Sequence, residues 1–160
     1  MRHVIWGALL EKAWAKINGS YDRILCGSAD LALIHLTGAP TLSFKNEESE
    51  KEMIWNELLE AQEKNHVMGA SSHNESKTLQ ECGLEANYSY FIRSVYQIDD
   101  SLRLVKLKNP QGDAKWNGDW NKESDLWTEE LREKIGIEDP FKYLAGPRIF
   151  AAIEQYQLAQ

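Results

Sequence analysis

The chain has 160 residues, 42% of them hydrophobic and six of them tryptophan, enough for one domain with a buried core. Its formal net charge of −7 argues against a broad basic footprint for nucleic acid or for an anionic membrane surface. No apolar run approaches the roughly 20 residues that cross a bilayer. In the opening "MRHVIWGALLEKAWAK", Glu11 and Lys12 interrupt what could pass for a leader, so the expectation is an intracellular, cytoplasmic chain.

Residues 5 to 17 read as an amphipathic helix, with Ile5, Leu9, Ala13 and Ile17 on one face and Asn18-Gly19 as the stop. A short helix is predicted from Ala29 to Leu36, closed by Thr37-Gly38, and "APTLSF" (39–44) reads as extended. The next helix, about 48–64, opens on acidic residues that suit the positive end of its dipole and buries Ile54, Leu58 and Ala61. The polar stretch 71–82 reads as a long loop.

Two strands follow, 88–98 and 102–108, joined at Asp99-Asp100-Ser101 as an antiparallel hairpin. Both faces of the first carry apolar residues, which predicts a central position. Thr128 caps a short helix ending at Gly136, and a last helix is predicted over 147–157, burying Ile149, Phe150 and Ile153. Helices first and an antiparallel sheet second make an α+β pattern.

Cys26 and Cys82 stand in no CxxC or Cys/His ligand spacing, so they read as thiols packed as small hydrophobes. His35 falls on the mostly apolar face of a short helix and reads as a packing histidine. His66 and His73 flank the polar loop; with Cys82 they are a metal set only on paper, and plain surface residues are the simpler reading.

Four stretches, in this order, carry a family resemblance: "LLEKAWAKINGSY" (9–21), "LTGAP" (36–40), "VMGASS" followed by "CGLEANYSYFI", and "LRLVKLKNPQGDAKWNGDWNKESDLW" (102–127). Together they resemble the second half of a calpain-type, papain-like cysteine protease core, over about residues 4–144. The implied fold is a papain-like second subdomain, an antiparallel sheet or half-barrel packed against N-terminal helices, occupying 1–160 as one unit with 146–160 as a weakly matching C-terminal helix.

The resemblance implies a catalytic His on the first hairpin strand and a catalytic Asn at the end of the second. The pattern Gly-Leu-x-x-Gly-His-x-Tyr-Ser falls on Gly83 to Phe91 and puts Tyr88 in the histidine's place. Asn109, Pro110 and Gly112 match the Asn-Pro-Trp-Gly motif, with Gln111 replacing the Trp that shields the Asn–His contact. Cysteine proteolysis needs an imidazole to generate and pair with a thiolate. Phenols titrate near pH 10 and hold their protons at neutrality. The family nucleophile belongs to the first half of the core, and neither Cys26 nor Cys82 matches it.

The family's calcium positions in this half hold Lys115 and Lys122, and calcium needs oxygen ligands. Asp113 and Asp119 are acidic but out of step with the pattern. No cofactor is expected. Trp116, Trp120 and Trp127 read as loop-packing residues, Tyr88 as a core or groove-wall aromatic, and Asn109 as a strand-end residue holding its loop through side-chain hydrogen bonds.

The resemblance therefore implies a catalytically inactive calpain-like protein. Its expected role is that of a structural or interaction subunit in an intracellular assembly, with a cytoskeletal or ciliary home by analogy with calpain-like pseudoproteases. Its partners would be other protein subunits, met through the relic cleft face around Tyr88 and Gln111. A peptide-binding regulator, and a protease half completed by a Cys-bearing partner chain, are the alternatives.

Overall fold

The computed structural model describes residues 5–25, 27, 29–45, 50–72, 81, 83–110, 116–121, 124–135, 148–150 and 155–159. Helices α1 (Trp6–Asn18) and α2 (Ala29–Thr37) flank a 3-10 turn at Tyr21–Ile24. Strand β1 (Thr41–Lys45), helix α3 (Lys51–Glu63) and strand β2 (Val67–Ser71) follow, then the hairpin β3 (Ser89–Gln97) and β4 (Arg103–Lys108). Helix α4 (Glu129–Lys134) and strands β5 (Arg148–Phe150) and β6 (Gln155–Ala159) complete the described elements. The strands form one antiparallel sheet in the order β1-β6-β2-β3-β4-β5. The architecture is α+β, and β3 is central, as its two apolar faces predict.

Helix boundaries follow their chemistry. Gly19 (φ 98°) and Gly38 (φ 71°) end α1 and α2 in the left-handed region, where a side chain is strained. Thr128 caps α4, its side chain accepting from the Leu131 N–H at 3.2 Å.

Alternation along the strands divides the core in two. On one face, Ile54, Trp55, Leu58 and Ala61 of α3 pack against Met68, Ala70, Tyr90, Ile92, Val95, Val105 and Leu107. Fully burying an aliphatic side chain such as Leu58 contributes roughly 1.5–3 kcal/mol. On the other face, Leu104 meets Trp127 and Leu131, with Tyr96 and Trp120 beside them. An ion pair ties α3 to β4: Arg103 donates to both Glu52 oxygens, at 2.7 and 2.8 Å, and lies 5.3 Å over the Trp55 ring.

Three expectations change. Within 147–157, predicted as a helix, the described residues 148–150 and 155–157 are strand, in β5 and β6, and Ile153 is outside the described residues. Helical spacing of Ile149, Phe150 and Ile153 competes with the period-two pattern of Gln-Tyr-Gln-Leu-Ala. The strand wins because β6 fills the slot between β1 and β2 and pairs with both, satisfying their facing backbone groups.

Val67–Ser71 is a strand between β6 and β3; the sequence reading assigned 67–70 to no element and placed Ser71 in the loop. Gly69 and Ala70 hide it in sequence, since small residues carry little strand signal.

The apolar row of α1 is not buried within the chain. Ile5 and Ile17 are 68% and 75% exposed, Leu9 is exposed too, and Ala15 is the helix's buried residue.

Candidate functional site

The segment entering β3 is held by one hydroxyl. Ser72, buried just after β2, donates to the Glu85 carbonyl at 2.5 Å and accepts from the Tyr88 N–H at 3.1 Å. Its own N–H donates to the Tyr88 carbonyl at 2.9 Å. One register step along, the hydroxyls of Ser71 and Ser89 lie 3.0 Å apart across the ladder. Asn87 adopts φ 52°, a left-handed conformation that asparagine tolerates and that glycine, the residue of the family pattern here, adopts freely.

Tyr88 therefore sits at the mouth of β3 on a tethered backbone. Its ring is half-buried, packs against the main core and meets Tyr90 edge-on, with centroids 5.0 Å apart and planes at 64°. The buried Tyr90 oxygen accepts from the Glu85 N–H at 2.9 Å. Burial raises the Tyr90 phenol above its ordinary range, and that hydrogen bond opposes the rise only in part.

Asn109 follows β4 directly and is buried, at 2% exposure. The β3–β4 ladder closes at Phe91↔Lys108, so Tyr88 and Asn109 lie at the same end of the hairpin. The antiparallel pairing thus places at one end of the hairpin two positions 21 apart in sequence (109 − 88). Gln111, Lys115, Lys122, Asp113, Cys26, Cys82 and His73 lie outside the described residues. His35 packs against Trp14, with ring centroids 5.0 Å apart, and His66 lies between α3 and β2.

The tryptophans beyond Asn109 organise their loop. Trp116 packs against the main core, and its Nε1 donates to the Asp119 carbonyl at 2.6 Å. The indole lies over Gly118, where an added Cβ would stand 2.4 Å from a ring carbon. Trp120 (φ 64°) and Trp127 meet edge-on at 5.1 Å, and the Trp127 Nε1 donates to the Asn121 carbonyl at 2.8 Å. Among the described residues, no group of three His, Cys, Asp or Glu side chains converges as a metal site needs. No described helix is long and apolar enough to cross a membrane.

Sequence reasoning quoted Ser72 only as the end of "VMGASS" and gave it no role, because its partners lie 13 and 16 positions away. The pairing of Tyr88 with Tyr90 was visible only as strand alternation.

A family model described as calpain family cysteine protease matches residues 1–142. The chain belongs to the calpain cysteine protease family. Human Calpain-14 is 36% identical over 129 residues, covering 79% of this chain and 19% of that protein. Calpain-B of Drosophila melanogaster is 31% identical over 150 residues, covering 85% of this chain and 16% of that protein. The calpain-type cysteine protease ADL1 of Oryza sativa subsp. japonica is 30% identical over 139 residues, covering 82% and 6%. The chain thus spans less than a fifth of the length of each of these calpains.

Proposed function

We propose that this calpain-family chain corresponds to the His- and Asn-bearing half of the protease core and acts without catalysis, as an interaction subunit of a larger intracellular assembly. The observation that carries the reading is Tyr88, a tethered, half-buried phenol in the place the family pattern gives to imidazole. A phenol is not the imidazole base that thiol activation in this family pattern calls for. Asn109 keeps a structural role at the strand end, and Lys115 and Lys122 make the neighbouring loop independent of calcium.

The partner surface is the relic cleft around Tyr88 and Gln111. What supports an interaction role is the row of α1 side chains left in water: Ile5, Trp6 and Leu9 are each more than 60% exposed. Large apolar side chains exposed together along one helix suit an interface. A cytoskeletal or ciliary home rests on analogy with other calpain-like pseudoproteases.

The test is a peptide-cleavage assay of the full chain with and without calcium, paired with labelling by an active-site-directed thiol reagent in native extract. Neither cleavage nor labelling is expected. Labelling of a Cys-bearing chain that co-purifies with this one would overturn the inactive reading and favour a two-chain endopeptidase.

A further inference from the structure

We propose that a cavity where α3, β2 and β3 meet binds a phosphate group, carried by a small organic ligand or by a phosphorylated side chain. The cavity has a volume of about 600 Å³, within the roughly 300–1,000 Å³ of small-molecule sites. His66, Arg93 and Lys108 line it, and among the described residues no Asp or Glu does, in a chain whose net charge is −7. Among the described residues, none of the three has a carboxylate at ion-pair distance. The carboxylate near enough for His66 to act on it, Glu60, is engaged by Lys64.

The fold gathers two cationic side chains, Arg93 and Lys108, beside the His66 imidazole. The β3–β4 register steps from Ile92↔Leu107 to Ser94↔Lys106, which leaves Arg93 as the extra residue of a bulge. Bulges re-aim a side chain and recur beside functional sites. Lys108 lies directly across from Phe91, and directly opposed residues project to the same face of a ladder. Gln62, another wall of the cavity, is fixed by two hydrogen bonds to Val95, so this end of α3 cannot drift.

An anion placed between the Arg93 and Lys108 side chains is attracted by both at once. Arginine's planar fork matches phosphate oxygens, and lysine adds a point charge. The Phe91 ring is 48% exposed and, with Tyr96, offers an apolar wall for the remainder of the ligand.

The experiment is an amide NMR titration of the full chain with inorganic phosphate, against chloride at equal ionic strength. Saturable shifts are expected at His66, Arg93, Ser94 and Lys108, in phosphate only. Arg93→Gln with Lys108→Gln weakens the apparent affinity at least tenfold, whereas Arg93→Lys retains part of it. Tighter binding of phenyl phosphate supports a small aromatic ligand, and tighter binding of a phosphoserine peptide supports a modified chain. Non-saturating shifts, equal shifts in chloride, shifts centred elsewhere, or full binding by the double variant each overturn the proposal. If the double variant does not fold, the position and anion dependence of the wild-type shifts decide.

Discussion

The side-chain amide of Gln62 pairs with the backbone of Val95 as a strand would: the Val95 N–H donates to Oε1 at 2.7 Å, and Nε2 donates to the Val95 carbonyl at 3.0 Å. Strand β2 runs antiparallel to β3 only as far as Met68↔Ile92. Beyond that point α3 supplies the missing partner through this one side chain. A buried backbone group without a partner is costly, which explains a glutamine at the end of a helix whose inner face is otherwise apolar. Gln62→Ala is expected to cost about 2 kcal/mol, two hydrogen bonds at about 1 kcal/mol each. The urea unfolding midpoint reads this, and an unchanged midpoint would refute the strand-like role.

Ser72→Ala removes the hydroxyl shared by the Glu85 carbonyl and the Tyr88 amide. The expected loss is about 1–3 kcal/mol, because a buried donor and acceptor are left unmet. Faster hydrogen exchange at the Tyr88 amide would accompany it. Unaltered exchange there would show that the segment is held by other contacts.

Gly118→Ala places a methyl group 2.4 Å from the Trp116 ring, nearer than real Cβ atoms come. Either the ring or the loop must move, at about 1–3 kcal/mol. A red shift in tryptophan emission should follow. Wild-type emission and wild-type stability together would contradict the described stacking.

Acid should weaken the fold through identifiable carboxylates. The hydrogen bond from Arg103 holds Glu52 below its usual range, and the Ser101 hydroxyl, with the Ser101 and Leu102 amides, does the same for Asp99. Both folded-state values are depressed, so their contribution is fully present above the ordinary carboxylate range, about pH 4, and is lost as pH falls through the lowered values. Stability measured from pH 7 to pH 3 should therefore converge for the wild type and a Glu52→Gln/Asp99→Asn variant. Parallel curves down to the lowest pH would exclude the linkage.

Tyr88→His restores an imidazole beside the tethered turn but supplies no thiolate. Peptide cleavage should stay at background, with or without calcium. Turnover by that variant alone would mean that a nucleophile lies within the chain.

Much of the local structure was legible. The stops at Gly19 and Gly38, the cap at Thr128 and the stripe Ile54–Leu58–Ala61 are short-range features, set by backbone conformation and helical period within a few residues. The hairpin was legible too, because Asp99-Asp100-Ser101 lies between two alternating runs; in the fold the Asp99 carboxylate caps the turn. The pattern around Tyr88 and Asn109 was enough to suggest the family.

What the sequence determined by itself was the calpain pattern, the α+β order and the residue types at its key positions, because these depend on spacing along the chain. The tertiary structure decided the rest. It made strands of 148–150 and 155–159, left the apolar row of α1 in water, and brought Arg93 and Lys108 to one cavity. The physical reason is common to all three: a backbone group, an apolar face or a charge finds its partner across the fold, and no local period records which distant segment will meet it.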